Sequence, residues 1–538
     1  MNSNFFRLTL LALLAVATLG LAACGDDDSD SADVGDLGPD PATMAPADAP
    51  FYGETVVRPD GEMRENFEET LATLGFDDVG GMITSELDAE LSEDGITYAA
   101  DIEPWLGARV GGFLTDFDPA TEKGEGAVAI AVTDADAAQA FIDKAAESGS
   151  TPLEDATYND VDYKTDGEAS IGISGDFLVA GTQQGFEDAV DAGAGDSLAD
   201  NTEANETRDE VPEDALFQFY VDTQSVIDLV ESSGELTGEQ LRQFEAQVAQ
   251  YAEGSVDFWG TVGDDTFDFA FSAPAVTDAP EPSELVAGFP SDAWFAFAAA
   301  DVGEQIQLGL EQFQQGFEAG FESTAPPGFE APTIDPLQEI EDATGLNVKK
   351  DFAWIGDIGG YVQGTDLLGL GAAVVIEATD EAAASETADL LRGALAKDPT
   401  LNVTPTDSGF EIAIPPTRAE VAVADGNFIA TAGAATTEDA LDPDESLDES
   451  DRFNAARDAL GEDVVPAFYL DFLPLLQLIE SAPEATSDPE FQAAKPYLDA
   501  LDFFVAGSKL DGDRTTGSVV LGVREADDSE ETSATIVP

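Results

Sequence analysis

Apolar and polar residues alternate along much of the chain, and this pattern predicts strands more often than helices. Residues 266–273, TFDFAFSA, alternate strictly, so we expect a half-buried strand whose phenylalanines point inward. Leu241, Phe244 and Val248 instead recur at helical spacing and predict an amphipathic helix. Adjacent hairpin strands with one or two helices are typical of an α+β fold with antiparallel sheets.

The order of these patterns occurs twice along the chain. The matching segments are DIEPWLG (101–107) with DFAWIG (351–356), GDFLVAGT (175–182) with GNFIATAG (426–433), and FYVD (219–222) with FYLD (468–471). Matches in the same order at nearly constant spacing indicate an internal duplication. The predicted fold is therefore α+β, with two tandem duplicated units, each with antiparallel sheets and packed helices.

Composition separates these two units from shorter segments. The predicted segments are a signal peptide (1–23), an acidic disordered tether (24–45), a first repeat unit (46–273), a Pro-rich linker (274–285), a second repeat unit (286–525) and an acidic disordered tail (526–538). The tether is rich in aspartate and has no basic residue, so it lacks the apolar surface that folding requires. A proline-rich segment is typical of a semi-rigid linker.

The amino terminus has the pattern of a secretory signal. One basic residue, Arg7, precedes an apolar run from Leu8 to Ala23, which is short for a membrane span. Leu21, Ala22 and Ala23 precede Cys24, and together these four residues resemble the bacterial lipobox. That resemblance implies recognition of Leu21, Ala22 and Ala23 by the signal peptidase, cleavage before Cys24 and lipidation of its thiol. The alternative is an ordinary signal peptide with an accidental cysteine.

The charge of the chain excludes several classes of partner. There are 112 acidic residues against 20 basic ones, a net charge of −92. Such a surface repels nucleic-acid phosphates, so no nucleic-acid partner is expected. It also destabilises the compact state unless salt screens it, which leads us to expect a saline or cation-rich environment.

Catalytic motifs do not emerge from the sequence. The chain has no histidine and one cysteine, so a Ser-His-Asp triad, a Cys-His pair and the usual zinc sites are excluded. No Gly-Lys dipeptide occurs, which excludes a P-loop. A pair of carboxylates suffices for a glycosidase, so a carboxylate hydrolase remains the least favoured alternative. We predict no enzyme activity, no cofactor and no metal.

Two sets of aromatic residues are candidates for ligand binding. Leu310, Phe313, Phe317 and Phe321 form a helical stripe that could line a cavity for an apolar, lipid-like ligand or dock a partner helix. Burial in the core is the favoured interpretation of this stripe. The four tryptophans, Trp105, Trp259, Trp294 and Trp354, could stack on a carbohydrate or peptide, but we expect them to anchor the core.

Several of these motifs together resemble a known family. A lipobox, the openings at Pro46 and Pro290, DIEPWLG at 101–107 and GDFLVAGT at 175–182 are similar to the bacterial envelope proteins grouped as domain of unknown function 3352. The resemblance covers about residues 46–523. It implies secretion or tethering to a membrane, and it implies no activity, ligand or catalytic residue.

The sequence therefore predicts an exported lipoprotein. We expect it to be anchored on the extracytoplasmic face of the cell membrane through acylated Cys24, with a non-catalytic role in binding or in organising the envelope. Its expected partners are the lipid bilayer and an unknown envelope protein. The alternative is a carrier or sensor of an apolar, lipid-like ligand.

Overall fold

The computed structural model describes residues 37–524, except 77, 93–94, 119–122, 149–152, 209, 234–237, 239–253, 277–278, 307–351, 367–368, 399, 415–416, 483–485 and 487. The predicted signal peptide, Cys24, the helix at Leu241, the stripe from Leu310 to Phe321 and the acidic tail lie outside the described residues. Contacts divide the chain into two compact units. The first extends to Ala279 and includes Leu510–Gly517, and the second extends from Pro280 to Lys509 and includes Ser518–Gly522.

The first unit combines ten antiparallel strands with six α-helices among its described residues. Its strands are β1 (Phe51–Val56), β2 (Leu106–Asp118), β3 (Lys123–Val132), β4 (Glu154–Tyr158), β5 (Val161–Thr165), β6 (Ala169–Ser174), β7 (Phe177–Thr182), β8 (Phe217–Asp222), β9 (Ser255–Val262) and β10 (Thr266–Pro274). Its helices are α1 (Gly61–Thr73), α2 (Val79–Leu91), α3 (Ala135–Ser148), α4 (Gln183–Ala194), α5 (Thr202–Arg208) and α6 (Thr223–Ser233). The hydrogen-bonded order is β4-β5-β6-β7-β3-β2-β1-β8-β9-β10, all antiparallel.

The second unit has the same mixture of elements. Its strands are β11 (Ala293–Ala299), β12 (Ile355–Gln363), β13 (Gly371–Ala378), β14 (Asn402–Pro405), β15 (Gly409–Ile414), β16 (Thr417–Ala424), β17 (Asn427–Gly433), β18 (Val465–Asp471) and β19 (Leu501–Asp511). The last strand, β20 (Arg514–Val523), begins with residues 514–517 of the first unit. Its helices are α7 (Glu381–Leu395), α8 (Thr437–Leu441), α9 (Asp451–Ala459), α10 (Phe472–Glu480) and α11 (Pro489–Asp499). The strand order from β14 to β19 is β14-β15-β16-β17-β13-β12-β11-β18-β19.

The predicted fold class is wrong. We expected two tandem duplicated units, each with sheets of its own, but the 20 strands of the described residues belong to one antiparallel sheet. The reason lies in β20, which pairs with β10 as well as with β19. No clear duplication of two separate units is shown.

The motif GDFLVAGT owes its structure to a turn and a helix cap. Gly175 has a φ of +59°, a conformation that glycine adopts without steric cost, and it turns the chain into β7. At the other end of β7, the Thr182 hydroxyl accepts a 3.0 Å hydrogen bond from the Gly185 amide and caps α4. One short motif therefore specifies a turn, a strand and a helix start.

Both faces of the first unit's sheet carry a hydrophobic core. Alternate residues of β3 point to opposite faces, so Ala127 joins a cluster with Phe186 of α4 while Val128 joins one with Trp105 and Ile142 of α3. The prediction that the tryptophans belong to the core is confirmed. The exposed fraction is 2% for Trp105, 8% for Trp259, 8% for Trp294 and 3% for Trp354.

In the part of the chain that the structure describes, no helix is long and apolar enough to cross a membrane.

Candidate functional site

One face of strands β8, β9 and β10 is built from phenylalanines. The register places Phe219 opposite Phe258, and Phe258 opposite Phe271, in a row across the three strands. Phe217 and Phe269 form a second row on the same face, with ring centroids 6.2 Å apart. The centroids of Phe258 and Phe271 are 6.1 Å apart. These five side chains form one aromatic surface, which we call the aromatic face.

The aromatic face is largely open to solvent. The exposed fraction is 48% for Phe219, 44% for Phe258, 50% for Phe269 and 37% for Phe271. Scattered exposed apolar side chains are normal, but contiguous ones mark a binding surface. The prediction that the phenylalanines of 266–273 point inward is wrong for Phe269 and Phe271, because the alternation that identified the strand does not say which face is covered.

The opposite face of the same sheet holds a buried ionic cluster. In β1, Gly53 points to the aromatic face while Tyr52 and Glu54 point to the other side. The Tyr52 hydroxyl donates a 2.6 Å hydrogen bond to Glu54 Oε2. Arg109 of β2 donates from Nε to Glu54 Oε1 at 3.1 Å, and its Nη2 also pairs with that oxygen. Glu54 therefore accepts from both a phenol and a guanidinium.

A second arginine and an aspartate complete this cluster. Asp40 lies 3.4 Å from Arg109 Nη2 through Oδ1 and 3.5 Å from Arg208 Nη2 through Oδ2. Arg208 Nη2 is also 3.7 Å from Glu54 Oε2, and its guanidinium carbon is 5.5 Å from the centre of the Tyr52 ring. Two guanidinium groups are thus matched by two carboxylates, and the cluster has no net charge.

Burial and charge act together on the titration of this cluster. Burial of Arg109 opposes its positive charge, but the neighbouring carboxylate of Glu54 outweighs this effect and raises the arginine pKa. Burial, reinforced by Glu54, raises the pKa of Tyr52 well above its usual value. The phenol therefore stays protonated and the guanidinium stays charged at any physiological pH.

A cavity of about 430 Å³ opens beside the ionic cluster. It is lined by Leu37, Gly38, Glu54, Arg109, Val211, Pro212, Glu213, Ala215, Leu216, Phe217 and Gln218. Arg109 and Glu54 form its charged end, and Leu37, Leu216 and Phe217 contribute apolar walls. Its volume lies in the range of sites for small molecules.

Two buried aspartates on β9 and β10 have strongly perturbed titration. Burial raises the pKa of Asp257 to about 6, although its neighbours Thr207 and Arg514 act in the other direction. Burial likewise raises the pKa of Asp268 to about 6, against hydrogen bonds from Thr266 and Thr261. Perturbed carboxyls can mark active sites, but Asp257 is only 1% exposed, so a substrate cannot reach it.

None of the site residues predicted from the sequence lies within the described residues. This holds for Leu21, Ala22, Ala23 and Cys24, and for the stripe of Leu310, Phe313, Phe317 and Phe321. The structure instead shows two other candidate sites, the aromatic face and the ionic cluster. Neither was predicted from the sequence. Across the described ranges, no group of three or more acidic, histidine or cysteine residues could hold a metal ion.

Comparisons with known proteins give a family but no activity. A family model described as a protein of unknown function, DUF3352, matches residues 9–520. No curated protein matches the chain. Among solved structures, crystal form I of TP0453 is 10% identical with a TM-score of 0.24, covering 45% of this chain and 81% of that one. Crystal form III is 11% identical with a TM-score of 0.24, covering 45% of this chain and 82% of that one.

Proposed function

The chain belongs to the DUF3352 family of proteins of unknown function, and on that premise we propose that it is an exported, membrane-anchored lipoprotein that binds an apolar ligand without catalysis. The observation that carries this proposal is the aromatic face, where Phe219, Phe258, Phe269 and Phe271 are each more than a third exposed. This surface favours a carrier or sensor of a lipid-like ligand over a purely organising role in the envelope.

The anchor is supported by the amino-terminal sequence. Cys24 is the only cysteine, so it has no intramolecular disulfide partner, and it follows an apolar run with small residues before it. Acylation of this thiol would attach the chain to the extracytoplasmic face of the membrane. Residues 25–36 would then separate the anchor from Leu37, where the described residues begin.

The class of ligand is supported by the chemistry of the aromatic face. Phenylalanine rings offer apolar area without a hydrogen-bonding group, and two cross-strand rows give an extended surface that suits an acyl chain. The net charge of −92 repels anionic headgroups, so neutral or zwitterionic lipids are favoured.

The test is native mass spectrometry of the protein purified from its own host. We expect a co-purified lipid on the unaltered protein and its loss from the double variant Phe219→Ser with Phe269→Ser. The matched control is Leu390→Ser, since Leu390 is 52% exposed and belongs to α7 of the second unit. Absence of lipid from the unaltered protein, or equal occupancy in all three proteins, would contradict the proposal.

A further inference from the structure

The cavity beside the ionic cluster has the composition of a ligand site of its own, and it shares one residue, Phe217, with the aromatic face. Glu54 on β1 faces this cavity, and its neighbour Gly53 faces the phenylalanines on the other side of the sheet. Apart from Phe217 the two surfaces are built from different residues, so occupation of one does not require the other, and the inference below does not rest on the proposed function.

The charged end of the cavity has a hydrogen-bond donor to spare. Arg109, whose side chain is 16% exposed, uses Nε and Nη2 on Glu54 and Asp40. No acceptor among the described residues pairs with its Nη1. A guanidinium presents several donors in a fixed plane, so Arg109 can hold an additional oxygen of a ligand that enters the cavity.

The charge balance restricts what that ligand can be. Asp40 and Glu54 already neutralise the two arginines, and the chain as a whole carries −92. A simple anion would thus gain a hydrogen bond from Arg109 but would meet a repulsive field. Glu213, an exposed residue of the same cavity wall, adds a carboxylate that can pair with an ammonium group. A ligand that carries both charges satisfies both groups and has no net charge of its own.

We propose that this cavity binds a zwitterionic small molecule with an apolar substituent, such as a free amino acid or dipeptide. Its carboxylate would accept from Arg109 and its ammonium would pair with Glu213, while the substituent packs against Leu37, Leu216 and Phe217. Charge-assisted hydrogen bonds at the two ends would set the orientation, and the apolar walls would favour a hydrophobic side chain.

Isothermal titration of the full mature chain with leucyl-leucine tests this site. We expect one-to-one binding with a Kd below about 1 mM. The N-acetylated, C-amidated form of the same dipeptide keeps the side chains but lacks both charges, and leucyl-leucine amide keeps only the ammonium. Both should bind at least about tenfold more weakly.

Variants of the protein distinguish specific binding in this cavity from non-specific binding of the dipeptide. Glu213→Gln should weaken leucyl-leucine binding about tenfold, and this exposed position leaves the fold intact. The matched control Glu168→Gln, at an exposed turn of the same unit, should leave the affinity unchanged. The Phe219→Ser, Phe269→Ser double variant should also bind the dipeptide normally, which distinguishes failure here from failure of the proposed function.

Three results would overturn the inference. The first is no heat of binding with folded protein at millimolar dipeptide. The second is equal affinity for leucyl-leucine and its amide, because the carboxylate would then have no role at Arg109. The third is an unchanged affinity in Glu213→Gln, because the ammonium would then have no partner in this cavity.

Discussion

The ring of Phe219 occupies the space beside Gly53 on the neighbouring strand. The two residues are directly opposite in the β1–β8 register, and a Cβ atom placed on Gly53 would lie only 2.6 Å from Phe219 Cδ1. The absence of a side chain at position 53 therefore lets an exposed ring settle onto the backbone. The contact with Gly53 therefore fixes the position of Phe219 within the aromatic face.

Replacing Gly53 by alanine should destabilise the protein. The new methyl group must displace the Phe219 ring, and overpacking of this kind costs about 1–3 kcal/mol. Denaturant unfolding measures the change in free energy, and intrinsic tryptophan fluorescence is a suitable signal. The variant should also bind less lipid if the proposed ligand contacts the displaced ring.

Gly393→Ala is a control for which we expect the opposite change in the free energy of unfolding. Gly393 lies within α7, and among the described residues no atom outside its own helical turn is within 4 Å of the position that its Cβ would take. Alanine is a better helix former than glycine, so this change should stabilise the protein by about 0.5–1 kcal/mol. A loss of stability equal to that of Gly53→Ala would refute the steric argument for position 53.

Asp257 should make stability fall as pH rises. Burial raises its pKa in the folded protein from 3.8 to about 6, so folding favours the protonated form. The associated stability is fully present below pH 3.8 and is lost as pH rises through about 6. Asp257→Asn, which stays neutral, should match the unaltered protein at pH 4 and exceed its stability by about 2–3 kcal/mol at pH 8.

Chemical unfolding of both proteins across this pH range measures the difference. Asp196→Asn is the control, because Asp196 is an exposed acidic residue of the same unit and its substitution also removes one negative charge. Its difference from the unaltered protein should stay nearly constant with pH. A difference for Asp257→Asn that is likewise constant would show that Asp257 is not responsible.

Glu54→Gln should cost far more stability than Asp40→Asn. Glu54 has a side chain 9% exposed and accepts from Arg109 and Tyr52, so its neutralisation leaves a buried guanidinium without its main partner. Loss of one member of a buried ion pair costs about 3–5 kcal/mol. Asp40 is 36% exposed and its ion pairs are 3.4 and 3.5 Å long, so its replacement should cost about 1 kcal/mol or less. Equal losses in urea unfolding would contradict this ranking.

Salt should stabilise the protein through screening. At a net charge of −92 the folded chain repels itself, and the Debye length falls from about 10 Å at 0.1 M salt to about 3 Å at 1 M. The thermal midpoint should therefore rise steadily with NaCl and equally with KCl at the same ionic strength. A flat response would argue against adaptation to a saline environment.

Cys24→Ser should release the protein from the membrane. Serine cannot carry the thioether-linked lipid, so the chain would lack its predicted anchor. Fractionation of host cells should move the protein from the membrane to the soluble fraction, and mass spectrometry should show the acyl mass only on the unaltered protein. A Cys24→Ser protein that stays in the membrane fraction would defeat the anchor hypothesis.

The sequence was sufficient to predict local elements but not their arrangement. Alternation correctly identified strand 266–273, and the cap at Thr182 follows from its motif. The pairing of β20 with β10 is a contact between distant segments that no local pattern encodes. The exposure of Phe269 depends on whether another element covers that face of the sheet. The internal repeat assigned each strand to one of two units but gave no information on which strands pair with one another.

The ionic cluster was equally hidden. Asp40, Glu54, Arg109 and Arg208 are far apart in sequence, and in a chain with 112 acids no single carboxylate stands out. The one available signal was the scarcity of basic residues, since two of only 20 meet at one place. Spacing rules do not detect such a cluster because its members come from two strands, a helix and a turn.

The position of Asp40 determines where a mechanical force would act. This residue caps the turn Pro41–Met44 and is held by Arg109 of β2 and Arg208 of α5, only three residues after Leu37 in the cavity wall. Tension on the chain before Leu37 would therefore reach these two ion pairs before it reaches the sheet. If the proposed anchor holds, tension on it would act on Leu37 in the cavity wall before it reaches Asp40.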